Sequence, residues 1–275
     1  ALVLSTIRLA RKKVLLHDMH SIEALARVDV LCVDKTGTIT EPEMRVSRVQ
    51  PLDEGSAETF HTRLCDYAAA SIDNNDTMLA LKQYAQQELQ RRPHTAERAV
   101  AMQPFSSREK YGSVTFADGR YLLGAPEFVL REAYPAVAET LTPYSEAGGR
   151  VLLLARETEN GAPEALGFVV LENPIRENAK QTFAYFKEQG VTVKVISGDN
   201  PVAVSRIAAD AGIENAERWL DASAVHSDEQ LVQAAESYTV FGRVTPQQKQ
   251  LLVRALQDAG HTVAMTGDGV NDILA

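Results

Sequence analysis

The sequence has little of what would staple a chain, thread it through a membrane or bind it to a polyanion. Two cysteines in 275 residues cannot build a disulfide framework. Cys32, in the middle of an apolar run, reads as an inert core residue, and a reducing, cytoplasmic setting is expected. No apolar run approaches the ~18 residues that a membrane-spanning helix needs. Basic side chains are outnumbered, with 28 Lys and Arg against 37 Asp and Glu and a net charge of −9. That balance argues against a nucleic-acid partner or an anionic-membrane surface. Repeats, low-complexity segments and a signal peptide are all missing, and the chain opens on Ala1-Leu-Val-Leu rather than Met. What remains, 45% hydrophobic and 24% charged residues with mean hydropathy −0.18, is ordinary globular composition, long enough for one or two domains with sizeable cores.

The most informative stretch is Val30-Leu-Cys-Val-Asp34-Lys-Thr-Gly-Thr38-Ile-Thr40. Val28 to Val33 is apolar and rich in β-branched residues, which predicts a fully buried strand of a parallel sheet. Such a strand delivers Asp34 to its C-terminal end, where open α/β sheets keep their chemistry. In the turn that follows, Gly37 is free to take positive φ, so backbone amides can gather around an anion. An Asp so placed can attack phosphorus, although an Asp after a strand also commonly caps the next helix.

Around this strand the chain changes character twice. Ser5 to Leu16 interleaves Arg8, Arg11, Lys12 and Lys13 with aliphatic residues, and Ser21 to Ala26 reads as a short capped helix. Glu41-Pro-Glu43 breaks the pattern. From Met44 to about Leu171 an α+β region is expected. It has a strand at Met44–Val49 and helices over Glu58–Ala70 and Thr77–Leu89, the second capped by Asn75 or Asp76. A hairpin turning on Asp118-Gly119, a helix from Pro126 to Ala133, and strands at Arg150–Arg156 and Leu166–Leu171 complete it. After Glu172-Asn-Pro-Ile-Arg176, strand–helix alternation resumes. Helices are expected over 176–189, 201–211 and 246–259, with strands at Val191–Ile196, Tyr238–Phe241 and Thr262–Met265. The fold class is therefore α/β, a doubly wound parallel sheet over 1–42 and 172–275 interrupted by a second domain at 43–171.

The heptapeptide Asp34-Lys-Thr-Gly-Thr-Ile-Thr40 resembles the phosphorylation motif of P-type cation-transporting ATPases, ion pumps of the haloacid-dehalogenase superfamily. Thr266-Gly-Asp-Gly-Val-Asn-Asp272 resembles the same family's metal-binding hinge motif, in the right order and far away. The resemblance covers nearly the whole chain but not a whole pump. It implies a fragment from the cytoplasmic face of the plasma membrane, starting just after one membrane helix and stopping inside the catalytic domain. The basic segment near the N-terminus would then be a stalk at the membrane edge.

What the resemblance implies residue by residue is specific. Asp34 is the phosphoryl acceptor. Ser197 and Gly198, in a Ser-Gly-Asp199 tripeptide where Thr is usual in place of Ser, donate to phosphoryl oxygens. Lys249 neutralises the transferring group. Mg2+ is held by Asp34, the Thr36 carbonyl and Asp268, with Asn271 and Asp272 around it. Superfamily phosphatases carry a second Asp two residues after the nucleophile; Thr36 stands there instead, so the aspartyl-phosphate would persist, as a pump requires. The inserted domain would hold ATP, with Phe105 stacking on adenine, Lys110 and Arg150 reaching the base or phosphates, and Gly124 and Met78 lining the pocket. Asp199 is a further nucleotide contact. Leu123 departs from the usual Lys, and Met78 is the residue read where an acid is usual. Partners implied are ATP and the membrane and actuator domains of the same pump, with no nucleic acid and with the transported cation bound elsewhere. The alternatives are a stand-alone dehalogenase-type phosphatase with a large cap, and a nucleotide-binding fragment without turnover.

Overall fold

A computed structural model describes residues 2–15, 18 and 21–267, so Asp268, Asn271 and Asp272 lie outside the described residues. The chain packs as two compact units, Ala1–Glu41 with Ile175–Ala275, and Pro42–Pro174.

The first unit begins with α1 (Leu2–Arg11), α2 (Ser21–Leu25) and β1 (Val30–Val33). Of the basic segment, α1 covers the part up to Arg11. Lys13 turns with φ of 63°, a value that ends a right-handed helix, and Lys12 and Lys13 lie beyond it. The chain returns to this unit with α7 (Ala179–Glu188), β8 (Thr192–Ile196), α8 (Pro201–Asp210), β9 (Trp219–Asp221), α9 (Asp228–Ser237), β10 (Val240–Gly242), α10 (Pro246–Asp258) and β11 (Val263–Thr266). Among the described residues the strands form a parallel sheet in the order β11-β1-β8-β10-β9. Strand alternation divides β1 between two cores. Val30 and Cys32 pack with the buried faces of α9 and α10, while Leu31 and Val33 pack with α7 and α8. Helices on both faces of a parallel sheet make it doubly wound, and all four β1 residues are buried.

Pro42–Pro174 contains β2 (Arg45–Pro51), α3 (Ala57–Ala70), α4 (Asp76–Arg91), β3 (Ala101–Gln103), β4 (Tyr111–Phe116), β5 (Gly119–Gly124), α5 (Pro126–Leu130), α6 (Pro135–Glu146), β6 (Arg150–Glu157) and β7 (Pro163–Glu172). Its strands form an antiparallel sheet in the order β2-β7-β6-β5-β4-β3. Phe116, Tyr121 and Leu154 pack under α3 and α4; Leu122, Leu153 and Phe168 pack with α5 and α6 on the opposite face. Asn75 caps α4, its side chain accepting the Met78 amide at 2.9 Å.

Two local expectations are corrected. The hairpin turns on Ala117-Asp118, because Phe116 already pairs with Gly119. The Asp118 carboxylate is held there by the Tyr121 hydroxyl at 2.7 Å and Arg63 at 2.8 Å. The helix from Pro126 stops at Leu130 because Arg131 has φ of 52°, and the chain continues as a tight turn over Arg131–Ala133. Helix α6 was not expected, since Pro143 inside it reads as a breaker and only Leu141 is fully buried. Strands β3 and β9, three residues each, are too short to show a period, and α9 (Asp228–Ser237) is a further helix beyond those expected.

Candidate active site

The first cluster of functional side chains lies at the C-terminal ends of β1, β8 and β10. Asp34 leaves β1 with its amide still donating to Thr266 O at 3.0 Å, so the carboxylate is launched from a fixed backbone. Its Oδ1 accepts the Lys35 amide at 2.6 Å. The five residues Lys35–Ile39 then close into one turn, with the Thr40 amide on Lys35 O at 3.0 Å and Gly37 at φ of 73°. That left-handed position is what the glycine permits. Ile39 and Thr40 are fully buried. Arg176 fastens the loop from outside, its amide on Ile39 O at 3.0 Å and its guanidinium on Gly37 O.

Lys249 reaches the same point from α10. Thr245 and Gln248 form a reciprocal capping box at the helix start, which fixes the first turn and aims the next residue at the sheet. Lys249 Nζ lies 3.0 Å from Asp34 Oδ2, with the lysine side chain 9% and the aspartate 21% exposed. Ser197 follows β8, buried, its amide on Phe241 O at 2.9 Å. Its Oγ accepts the Asp199 amide at 3.3 Å, which leaves the hydroxyl proton available to donate. Gly198 is exposed beside it. Asp199 is joined by an ion pair to Lys35, and its carbonyl accepts the Arg243 amide at 2.8 Å. The structure thus gathers Asp34, Thr36, Ser197, Gly198, Asp199 and Lys249 on one end of one sheet.

Asp34 and the Thr36 backbone bring two hard oxygen donors to this loop, chemistry suited to Mg2+. The third expected donor, Asp268, falls outside the described residues, as do Asn271 and Asp272. Among the described residues no group of three His, Cys, Asp or Glu could hold a metal ion. Cys32, directly before this loop, has its thiol pushed up to about 12 by burial, so it stays protonated and unreactive.

A second site lies within Pro42–Pro174. A cavity of about 660 Å³ is lined by Met78, Phe105, Lys110, Gly124 and Arg150, together with Tyr67, Asp73 and Asp76. Five of the six expected nucleotide contacts therefore share one cavity; Asp199 belongs to the other unit. Phe105 presents a ring to solvent at 43% exposure, and its amide donates to Asp73 Oδ2 at 3.0 Å. Gly124 is demanded by packing, since a Cβ there would sit 2.4 Å from Lys110 O and from Tyr111 Cβ. Leu123, Val151 and Leu152 add an apolar stretch to the wall, and Asn75, Thr77 and Ser107 add polar side chains. The acidic residues of this cavity are Asp73 and Asp76, whereas the residue expected in place of an acid is Met78, which lines the cavity beside them. Their position just before and at the start of α4 was the available signal. Burial pushes the Tyr67 phenol up, keeping it a neutral hydroxyl in the cavity wall.

A family model described as haloacid dehalogenase-like hydrolase matches residues 28–275, and the chain belongs to that family. Within it, the chain is 43% identical over 286 residues to a Streptococcus pneumoniae protein named as a probable cation-transporting ATPase, exp7. The match covers 100% of this chain and 35% of that protein. It is 41% identical over 285 residues to the calcium-transporting ATPase CtpE of Mycobacterium tuberculosis, again covering 100% of this chain and 35% of the relative. The chain thus spans about a third of the length of these relatives. Among solved structures, a zinc-transporting PIB-type ATPase in its E2.Pi state superposes with a TM-score of 0.69 at 24% identity, over 94% of this chain and 36% of that one. This likeness bears on the fold.

Proposed function

We propose that this chain is the phosphorylation and nucleotide-binding part of a bacterial P-type cation-transporting ATPase, working at the cytoplasmic face of the plasma membrane. The observation that carries the reading is the Lys249–Asp34 contact of 3.0 Å at the end of a buried parallel strand. A carboxylate there is aimed out of the sheet and already paired with the cation that would offset charge on an incoming phosphoryl group.

ATP binds in the cavity of the second unit, its base against Phe105 and its phosphates toward Lys110 and Arg150. An Asp34 oxygen attacks the γ-phosphorus in line, forming an acyl phosphate. The bond to the β–γ bridging oxygen breaks, and ADP leaves with that electron pair. Ser197, Gly198 and Lys249 hold the transferring oxygens. Asp34, the Thr36 carbonyl and Asp268 would hold Mg2+, which supplies further charge neutralisation when bound. Hydrolysis of the aspartyl-phosphate belongs to an actuator domain elsewhere in the pump, because Thr36 occupies the position from which a resident carboxylate would activate water. Relatives named as calcium and general cation transporters favour a cation as cargo.

The test is incubation of this chain, and of a version extended through the membrane region, with Mg2+ and γ-labelled ATP, followed by acid quench. An acid-stable, hydroxylamine-labile label that vanishes in Asp34→Asn is expected. Steady phosphate release without trapped label would favour a stand-alone phosphatase instead. Label in the extended version alone would make this chain a nucleotide-binding module without its own turnover.

A further inference from the structure

Thr77 is the second residue of α4, and Arg150 opens β6; the two are 73 residues apart in sequence. The Arg150 guanidinium donates through Nη1 to the Thr77 hydroxyl, at the mouth of the 660 Å³ cavity that both residues line. The choice of acceptor matters. Other exposed or half-buried cations divide between the two kinds of acceptor: Arg120 meets Glu157, Arg243 meets Asp221 and Lys187 meets Glu214, while Arg48 meets the Gln50 amide oxygen and Arg156 the Asp118 carbonyl. Among the described residues, no carboxylate pairs with Arg150, although the chain carries a net charge of −9. A hydroxyl accepts a hydrogen bond without cancelling the donor's charge. The guanidinium is held in place and remains a full cation facing the cavity.

The helix start fixes the hydroxyl. Asn75 caps α4 by accepting the Met78 amide at 2.9 Å, which anchors the first turn carrying Thr77. Without that acceptor the long Arg150 side chain, exposed at its strand end, would sample several rotamers and lose freedom on every binding event. We propose that Thr77 is a positioning residue that parks Arg150 in the cavity lining as a cation with no direct carboxylate partner, although Asp73 and Asp76 line the same cavity, so that a ligand's phosphate meets a charge already in place. This rests on the reading of the cavity as a nucleotide site.

The test is calorimetric binding of ATP and of adenosine to the wild-type chain and to Thr77→Val, Thr77→Ser, Arg150→Ala and the Thr77→Val/Arg150→Ala pair. Circular dichroism and thermal melting confirm that each variant is folded. Thr77→Val should weaken ATP about 5- to 10-fold by removing preorganisation, leave adenosine unchanged, and add nothing once Arg150 is gone. Thr77→Ser should bind as wild type. Equal losses for ATP and adenosine, a Thr77→Ser variant as weak as Thr77→Val, or additive losses in the pair would overturn the role of Thr77. So would an Arg150→Ala loss that Thr77→Val does not share. A wild-type chain that binds no ATP would overturn the nucleotide reading, and the role of Thr77 with it.

Discussion

Lys249 Nζ and Asp34 Oδ2 stand 3.0 Å apart although 215 positions separate them in the chain. Both are largely buried, so their attraction is weakly screened, and under the proposed phosphoryl transfer the ammonium would face the developing negative charge. Lys249→Met keeps the side chain's length and removes the charge. Single-turnover labelling of the extended protein should slow by about 10²–10³-fold, while equilibrium ATP binding stays near wild type. A slowing of less than about 3-fold would remove Lys249 from the chemistry.

Gly124 answers to packing. A methyl group at this position would meet Lys110 O and Tyr111 Cβ at 2.4 Å, so Gly124→Ala must push β4 and β5 apart beneath the cavity. Overpacking of this kind costs about 1–3 kcal/mol. A lowered melting temperature together with weaker ATP binding is expected, and a melting temperature equal to wild type would contradict the geometry.

Arg63 is the hub of the second unit's charges. It meets Asp66 at 3.1 Å and Asp118 at 2.8 Å, contacts Glu97, and lies over the Phe116 ring at 5.1 Å. The Asp66 side chain is only 2% exposed, so Arg63→Met would leave this buried carboxylate with only the His94 ring at 3.0 Å and the Glu97 amide at 3.4 Å, at a cost of about 1.5–3 kcal/mol for the lost charged hydrogen bond. Arg91, 74% exposed beside Glu88, should cost no more than about 1 kcal/mol when changed to Met. Denaturant titrations giving the two variants equal losses would refute this ranking.

His261 joins Asp29 at 2.9 Å and Glu236 at 3.4 Å, at the end of the sheet opposite Asp34. The hydrogen bond to Asp29 raises the imidazole above its ordinary 6.5, and the same bond lowers Asp29 below 3.8. The protonated imidazole therefore contributes stability that is complete below about 6.5 and fades as pH rises through its folded value. The Asp29 contribution is complete above about 3.8 and fades as pH falls through its folded value. Chemical denaturation at about pH 6 and about pH 8 should show wild type losing more stability on the alkaline step than His261→Gln. Equal losses would contradict the assignment.

Much of this protein is legible in its sequence because the relevant physics is local. The four apolar residues of β1 announce a strand buried on both faces, Gly37 announces a left-handed turn, and Thr245 with Gln248 announces a helix start. From these follow the doubly wound sheet and the expectation that Asp34 and Ser197 sit at strand ends. Residues Phe105, Lys110, Gly124 and Arg150 were legible only through the resemblance of short segments to a known family, and the structure places them in the lining of one cavity.

Tertiary structure decided what depends on partners far along the chain. The hairpin register follows from Asp118 bonding to Arg63 and Tyr121, and no local preference at Asp118-Gly119 contains that information. Helix α6 survives Pro143 because the surrounding unit packs it, and β3 and β9 exist as strands only because a neighbour's ladder extends to them. The same holds at the sites. Asp73 lines the cavity by fixing the Phe105 amide 32 residues away, and Thr77 finds Arg150 across the cavity mouth. Composition and periodicity report which faces are apolar. Which carboxylate or hydroxyl meets which cation is set by the crossing of distant elements, and only the folded chain specifies it.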